Sequence, residues 1–311
     1  MARELLGALS RQTGDFDHAH DAAVVTRVDA RSGRLGADGP RPVHAGERVL
    51  PGHRDQKSVG RLVECPDTSS HGGYRDDEDL IASQRVYYDL RAPDFGDVSA
   101  PDRAVPGLMH KSTVRALVDE FRPEGEVLEL ACGPGTFTRE LERYARSLTA
   151  VDSSQQMLDR NQRESRSDRV RYVREDIFTW MPDGQYDVVF FANWLSHVPP
   201  TRFDDFWSRV ARSLKRHGRV GFLDEDERAS EYDDSLIVGG VPAARRTLRD
   251  GRTFDIVKVF WRPDDLEARL RSRGWNARVR RVGESFLFGV AEPPRQPRRQ
   301  RWPPERGARS G

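Results

Sequence analysis

Cysteine is nearly absent: the 311 residues hold two, Cys65 and Cys132. Two thiols make neither a disulfide framework nor a cysteine-built metal centre, so no metal is expected and the chain reads as a protein of a reducing compartment. No apolar run approaches the ~20 residues that a membrane span needs. No N-terminal stretch has the apolar core of a signal peptide, and the cytoplasm is the expected location. Lysine is scarce as well: Lys57, Lys111, Lys215 and Lys258 are the only four, and every other basic residue is arginine. A GC-rich coding sequence accounts for that bias without any appeal to function. A surplus of one charge is also missing, since 51 Lys and Arg against 50 Asp and Glu leave a net charge of +1. There is therefore no global electrostatic ground for a nucleic-acid or membrane partner. Apolar residues make up 36% and charged residues 32%. That is polar for a globular protein, so part of the length is expected to lie outside any core.

The organisation bears this out along the chain. Residues 1–75 show little periodicity, and a stretch such as ARSGRLGADGPRPVHAGERVLPGHRDQ cannot bury enough apolar surface to offset chain entropy. They are expected to form a disordered leader, and residues 293–311 a disordered basic tail. Between them, DEDLIASQRVYYDLRA (77–92) and HKSTVRALVDEF (110–121) read as helices. From 126 onward strand-like and helix-like segments alternate: EVLEL, TFTRELERYAR, SLTAVD, SQQMLDRNQ, VRYVRED, YDVVFFAN, TRFDDFWSRVARSLKRHG and RVGFLDED. Such alternation predicts a parallel sheet covered by helices on both faces. In the segment at 201, Thr201 is the expected N-cap and Gly218 the stop. Phe203, Phe206, Trp207, Val210 and Leu214 make one apolar stripe that reads as core. Asp250-Gly251 between two extended runs predicts a hairpin over 243–261. A short helix begins at Pro263 and ends at Gly274, and two more strands, ARVRRV and SFLFGVA, complete the domain.

The chemistry concentrates in VLELACGPGTFT (127–138). In an open α/β sheet, ligands bind beyond the carboxyl ends of the strands, and a first strand ending in Gly-x-Gly lets the backbone approach a ligand closely. Two cofactor classes use such a corner, dinucleotides and S-adenosylmethionine. The dinucleotide fingerprint wants a third glycine beside the pyrophosphate, but here that place is Thr138. Acids follow instead. Glu129 lies in the first strand, Asp152 closes the second and Asp176 follows the third. Asp152 can accept from both ribose hydroxyls, and Asp176 from an adenine amine with Ile177 flanking the ring. Three acids at successive strand ends suit adenosine with a cationic tail and would repel a pyrophosphate. The plainer alternatives are a helix cap for Asp152 and a loop acid for Asp176. Cys132 reads as a small wall residue, since no base lies near it in sequence.

On these residues the chain resembles the class I S-adenosylmethionine-dependent methyltransferases. ELACGPGTFT resembles the family's first motif, TAVDSSQQML the second, REDIF the third-strand acid and YDVVFFANWLSHVP the fourth-strand segment; the resemblance covers about residues 80–292. It implies a Rossmann-like, mostly parallel seven-stranded sheet with an antiparallel last strand and, here, an inserted β-hairpin. It also implies S-adenosylmethionine as cofactor, held by Glu129, Ala131, Gly133, Gly135, Asp152, Ser153, Met157, Asp176, Ile177 and Asn193. FFANWLSHVPPTRFDDFW and ARRTLRDGRTFDIVKVF are further similar to the phosphonate O-methyltransferases of dehydrophos biosynthesis. That likeness implies a small anionic acceptor with Arg246 and Lys258 beside it, although GDVSAPDRAVPGLMH, before the first strand, departs from it in having no tyrosine.

The hairpin allows two registers. A two-residue Asp-Gly turn puts Arg245 on the face of Lys258. A three-residue loop with a glycine bulge puts Arg246, Phe254, Ile256 and Lys258 on one face. Two cations among apolar neighbours suit a carboxylate, phosphonate or phosphate; a solvated basic hairpin balanced by Asp250 and Asp255 is the plain alternative. His197, just past the fourth strand, is either a general base or a wall of the pocket touching the cofactor. Tyr88 and Arg91 lie on the first helix, which is expected to fold over the cofactor as a lid, with Arg91 either on the methionine carboxylate or in a plain ion pair on the helix surface. The expected activity is methyl transfer to an oxygen of a small anionic metabolite. The alternatives are N-methylation of a small amine, or a protein that binds the cofactor without turnover. Oligomeric state is not legible.

Overall fold

The computed structural model describes residues 77–96, 110–165 and 167–294. The expected leader and the tail beyond residue 294 lie outside them. Helix α1 (Asp77–Arg91) has Asp77, Glu78 and Asp79 in its first turn and Arg91 in its last, the polarity that the helix dipole favours. Helix α2 (Lys111–Phe121) is capped by His110 and buries Val114, Leu117, Val118 and Phe121 along one stripe. Then follow β1 (Gly125–Leu130), α3 (Thr138–Leu141), β2 (Ala145–Asp152), α4 (Gln155–Ser165), β3 (Val170–Arg174), β4 (Tyr186–Ala192), α5 (Phe203–Ser213) and β5 (Leu214–Glu225). The last elements are β6 (Ser235–Val238), β7 (Val241–Thr247), β8 (Thr253–Val257), α6 (Pro263–Arg271), β9 (Asn276–Val282) and β10 (Phe286–Glu292).

Seven strands form one sheet in the order β3-β2-β1-β4-β5-β10-β9. Strands β1 to β5 run parallel, and β10 runs antiparallel to both its neighbours. The Rossmann-like architecture with a reversed final strand is as the sequence implies. β1 is buried along Val127–Leu130, as a central parallel strand covered on both faces must be. Its side chains alternate between two cores. Leu128 and Leu130 join Phe191, Phe206, Trp207 and Phe222 under α5 and α6, and Val127 joins Leu117, Phe121, Phe190 and Phe288 under α2. Because β1 lies between β2 and β4, strand order reverses there, and the carboxyl ends on either side diverge to leave a crevice.

Three local expectations are corrected. The apolar stripe of α5 is buried as expected, but Thr201 does not cap the helix. A 3₁₀ turn over Pro200–Arg202 precedes it, and the Thr201 hydroxyl is bonded to the Asp77 carboxylate. The helix also stops at Ser213, because Leu214 pairs with Tyr186 and Lys215 reaches Glu126 and Asp187 at 2.8 and 2.9 Å. Likewise the helix expected over TFTRELERYAR is only four residues long, since Ala145 is taken into the ladder opposite Gly125. In both places strand pairing overrides local helix propensity. Third, the inserted hairpin is a three-stranded antiparallel sheet, β6-β7-β8. The added strand turns on Gly239-Gly240, both with positive φ (57° and 84°), which is the two-residue turn that a tight hairpin requires.

This small sheet is where α1 docks. Leu80 and Ile81 pack with Val241, Ala243, Val257 and Val259, and Tyr87 packs with Leu248 and Ile256. The helix and the inserted sheet together roof the crevice at the carboxyl ends of the main sheet.

Candidate active site

The glycine corner forms because two residues past β1 adopt left-handed backbone, Ala131 (φ 52°) and Gly133 (φ 51°). That turn aims the Gly133 N–H at Asp152, donating to Oδ2 at 2.9 Å, while the Ser154 N–H donates to Oδ1 at 2.9 Å. Asp152 is thus stitched to two loops, and each oxygen keeps a lone pair for a ligand. Ser154, not Asp152, caps α4, its Oγ accepting from the Met157 N–H at 3.3 Å. Glu129, 2% exposed, accepts from the Thr138 hydroxyl at 2.6 Å, which in turn accepts from the Asn161 amide at 2.8 Å. Burial pushes the Glu129 carboxyl up to about 8, and burial raises Asp152 as well. Thr138, standing where a dinucleotide site has glycine, therefore holds an acid in place.

A cavity of about 340 Å³ opens beyond these strand tips, within the roughly 300–1,000 Å³ of small-molecule sites. Its wall brings together Tyr88, Arg91, Glu129, Ala131, Gly133, Asp152, Ser153, Met157, Asp176, Ile177, Asn193, His197, Arg246 and Lys258. Of the expected site residues only Gly135 does not line it. A Cβ there would lie 2.2 Å from Asn161 Oδ1, and φ is +90°, so this glycine serves the close approach of α4 to the corner. Asp176 is on the wall as expected, yet it is ion-paired with Arg85 of α1 at 2.6 Å and accepts from the Phe178 N–H at 3.0 Å. Asn193, at the end of β4, also has left-handed backbone (φ 51°). Carboxylates at the ends of β1, β2 and β3 fit a nucleoside with a cationic tail.

The inserted sheet decides which arginine faces the cavity. Arg246 stands opposite Phe254, and Arg245 opposite Asp255. Arg249-Asp250-Gly251 form the three-residue loop, closed by Gly251 N–H to Leu248 O and Leu248 N–H to Arg252 O, each 2.9 Å, with Gly251 at φ +85°. Of the two registers, this is the one with the glycine bulge. Arg246 and Lys258 are 6% and 5% exposed, whereas Arg245 lies outside against Asp255 at 2.8 Å. Each inward cation has a carboxylate partner. Arg246 is forked by Asp233, with Nη2 to Oδ2 at 2.8 Å, and Lys258 is paired with Glu225 and donates to Ser196 Oγ at 3.2 Å. Burial works against the Arg246 charge, but the Asp233 pair outweighs it and holds the guanidinium above the ordinary arginine value.

His197 is 4% exposed. Its Nδ1 lies 2.8 Å from the Val257 carbonyl, which can only accept, so the proton is on Nδ1 and Nε2 accepts from the Tyr88 hydroxyl at 2.7 Å. Burial, and then the Lys258 charge, push the imidazole well below its usual pKa. Burial and the neighbouring Tyr87 push Tyr88 well above its own. The two rings form a neutral hydrogen-bonded pair between α1 and the fourth strand's loop. Among the described residues there is no group of three or more His, Cys, Asp or Glu able to hold a metal ion.

A family model described as a methyltransferase domain matches residues 127–218. Among solved structures, DhpI in complex with SAH is 36% identical, with a TM-score of 0.59, covering 70% of this chain and 99% of that one. The DhpI–SAM–HEP complex is 37% identical, with a TM-score of 0.58, covering 73% and 100%. The chain belongs to the class I S-adenosylmethionine-dependent methyltransferases. Its cofactor is S-adenosyl-L-methionine. A search of curated proteins finds no match to this methyltransferase. The 1,6-didemethyltoxoflavin-N1-methyltransferase of Burkholderia thailandensis, 17% identical over 71% of this chain and 92% of that one with a TM-score of 0.50, shares the fold.

Several wall residues of the methyltransferase were not foreseen: Gln84, Arg85, Tyr87, Phe178, Trp194 and Glu225. Glu225 did carry a signal, as an acid at the tip of β5 in line with Glu129, Asp152 and Asp176. Asp233 carried none, because only the fold of the inserted sheet brings it to Arg246. The residues of α1 reach the site through tertiary docking alone.

Proposed function

We propose that this methyltransferase acts on an oxygen of a small anionic metabolite, a phosphonate, phosphate or carboxylate. The observation that carries the reading is the pair Arg246 and Lys258, both buried and both on the cavity wall, in the register that turns Arg246 and not Arg245 inward. Charge-assisted hydrogen bonds from two such donors fix an oxyanion in orientation as well as in place, each contributing roughly 1.5–3 kcal/mol. When bound, S-adenosylmethionine supplies an electrophilic methyl group on a sulfonium. Glu129, Asp152, Ser153, Met157 and Asn193 hold it, Ala131 and Gly133 let the backbone approach, and Asp176 with Ile177 receives the adenine. Tyr88 and Arg91 on α1 close the site over it and exclude water.

An ionised oxygen already has its lone pair free, so the reaction needs orientation and no base. His197 fits a wall role: it is neutral, its Nδ1 proton is committed to Val257, and its Nε2 is engaged by Tyr88. The similarity to DhpI supports the anionic acceptor. The specific support for the rival reading, N-methylation, is the Glu225 carboxylate on the cavity wall, which could hold an amine.

The test is mass spectrometry for the gain of one methyl group across small phosphonates, phosphates, carboxylates and amines, with fragmentation to locate it. Methyl on oxygen of an anionic acceptor is expected. Methylation of amines alone would overturn the proposal.

A further inference from the structure

The acceptor end is not simply basic. Glu225, the last residue of β5, lines the cavity beside Lys258, and its side chain is 14% exposed. Asp233 plays a different part: its side chain is fully buried, it does not line the cavity, and it is ion-paired with Arg246. Gln84, 3% exposed and on the cavity wall, has a carbonyl Oε1 with no hydrogen-bond partner. A guest therefore meets two cations, one carboxylate and one unengaged acceptor oxygen.

A guest that is only an anion would sit against Lys258 with Glu225 close by, and would offer Gln84 nothing. Like charges at short range in a dry site repel strongly, and a buried acceptor left without a donor is costly. A guest with both an anionic group and an ammonium group satisfies every one of these atoms. We propose that the acceptor is zwitterionic, its anionic group held by Arg246 and Lys258 and its ammonium group by Glu225, with Gln84 Oε1 taking a further N–H.

This rests on the oxygen-methylation reading and deepens it. An ammonium paired with Glu225 keeps its proton and has no lone pair to react, while the oxyanion keeps its own. The new carbon–oxygen bond forms from an acceptor oxygen lone pair as the carbon–sulfur bond breaks, and the electron pair of that bond stays on sulfur. One negative charge on the acceptor and one positive charge on sulfur disappear together, and no proton moves.

The test compares matched acceptors that differ only in the amine: 2-aminoethylphosphonate with propylphosphonate, and β-alanine with butanoate. Methyl transfer is followed for the wild type and for Glu225→Gln by release of S-adenosylhomocysteine and by product fragmentation. The wild type is expected to favour the amine-bearing member of a pair at least tenfold in kcat/KM, with the methyl on oxygen. Glu225→Gln is expected to cut that preference below threefold. Calorimetry with S-adenosylhomocysteine checks that the variant is folded, and the wild-type comparison stands whether or not it is. Equal use of the amine-free member, or a preference that survives Glu225→Gln, would overturn the zwitterion proposal and leave oxygen methylation intact. Methyl found on the amine, or no acceptor methylated at oxygen, would sink both.

Discussion

Asp152 joins two jobs in one carboxylate. It ties the glycine corner to the start of α4 through the Gly133 and Ser154 amides, and it presents its remaining lone pairs to the cavity. Asp152→Ala is expected to weaken S-adenosylhomocysteine binding at least tenfold, about 1.4 kcal/mol, by calorimetry; an unchanged affinity would remove the ribose role. Glu129 gives a pH signature. With its carboxyl at about 8, the empty site holds a proton at neutral pH, and a cationic tail selects the ionised form. Affinity should therefore be full above this pKa and fall as pH drops below it, with proton uptake by the buffer on binding at neutral pH. Titrations between about pH 6 and 9, in buffers of different ionisation enthalpy, read this directly; a flat profile would mean that Glu129 does not meet the tail. At the hairpin, Lys258→Ala should raise the acceptor KM or lower kcat while S-adenosylhomocysteine affinity holds. Loss of cofactor binding in that variant would count against an acceptor role. All three residues were legible in the sequence, because each sits at a position fixed by local pattern: a strand tip, or an alternate site on a strand.

α1 shows what elements add. It touches the site through Arg85 with Asp176, Asp89 with Ser154 at 2.8 Å, and Tyr88 with His197, yet these contacts do not dominate its docking. Arg85 is 46% exposed in its ion pair, and such surface pairs contribute about 0–1 kcal/mol. Leu80 is fully buried against the inserted sheet, and truncating a buried leucine costs about 2–5 kcal/mol. Leu80→Ala should thus loosen α1, seen as faster amide exchange over 77–91 and a lower kcat. Arg85→Ala should change exchange there little; the reverse order would mean that polar pins hold the lid. The hairpin register follows the same logic. Both registers were compatible with the sequence, and a glycine at φ +85° selected the one that turns Arg246 inward with Lys258. The premature ends of α3 and α5 belong at this scale too, since a ladder partner distant in sequence claimed residues that local periodicity assigned to a helix.

Taken whole, the molecule places its cavity where strand order reverses at β1, so the cavity wall draws on β1, β2, β4, the loop after β3 and α1 together. Binding to the folded state alone should stabilise all of them, by about 2.7 kcal/mol at a hundredfold excess over Kd. S-adenosylhomocysteine should accordingly raise the Tm, and NADH should not, because acids at the strand tips repel a pyrophosphate; an equal rise with NADH would contradict that electrostatic account. The sequence by itself determined the sheet class, the glycine corner and its acids, and a basic hairpin, though not which of its arginines faces in. Each of those depends on residues a few positions apart, where periodicity and backbone geometry act directly. Tertiary structure alone decided that Tyr88 would meet His197 across 109 residues, that Arg85 would cover Asp176, and that Glu225 and Asp233 would neutralise Lys258 and Arg246. Those pairings arise from strand order and from the docking of α1 on the inserted sheet, and buried charges find partners only once the chain has brought distant segments together.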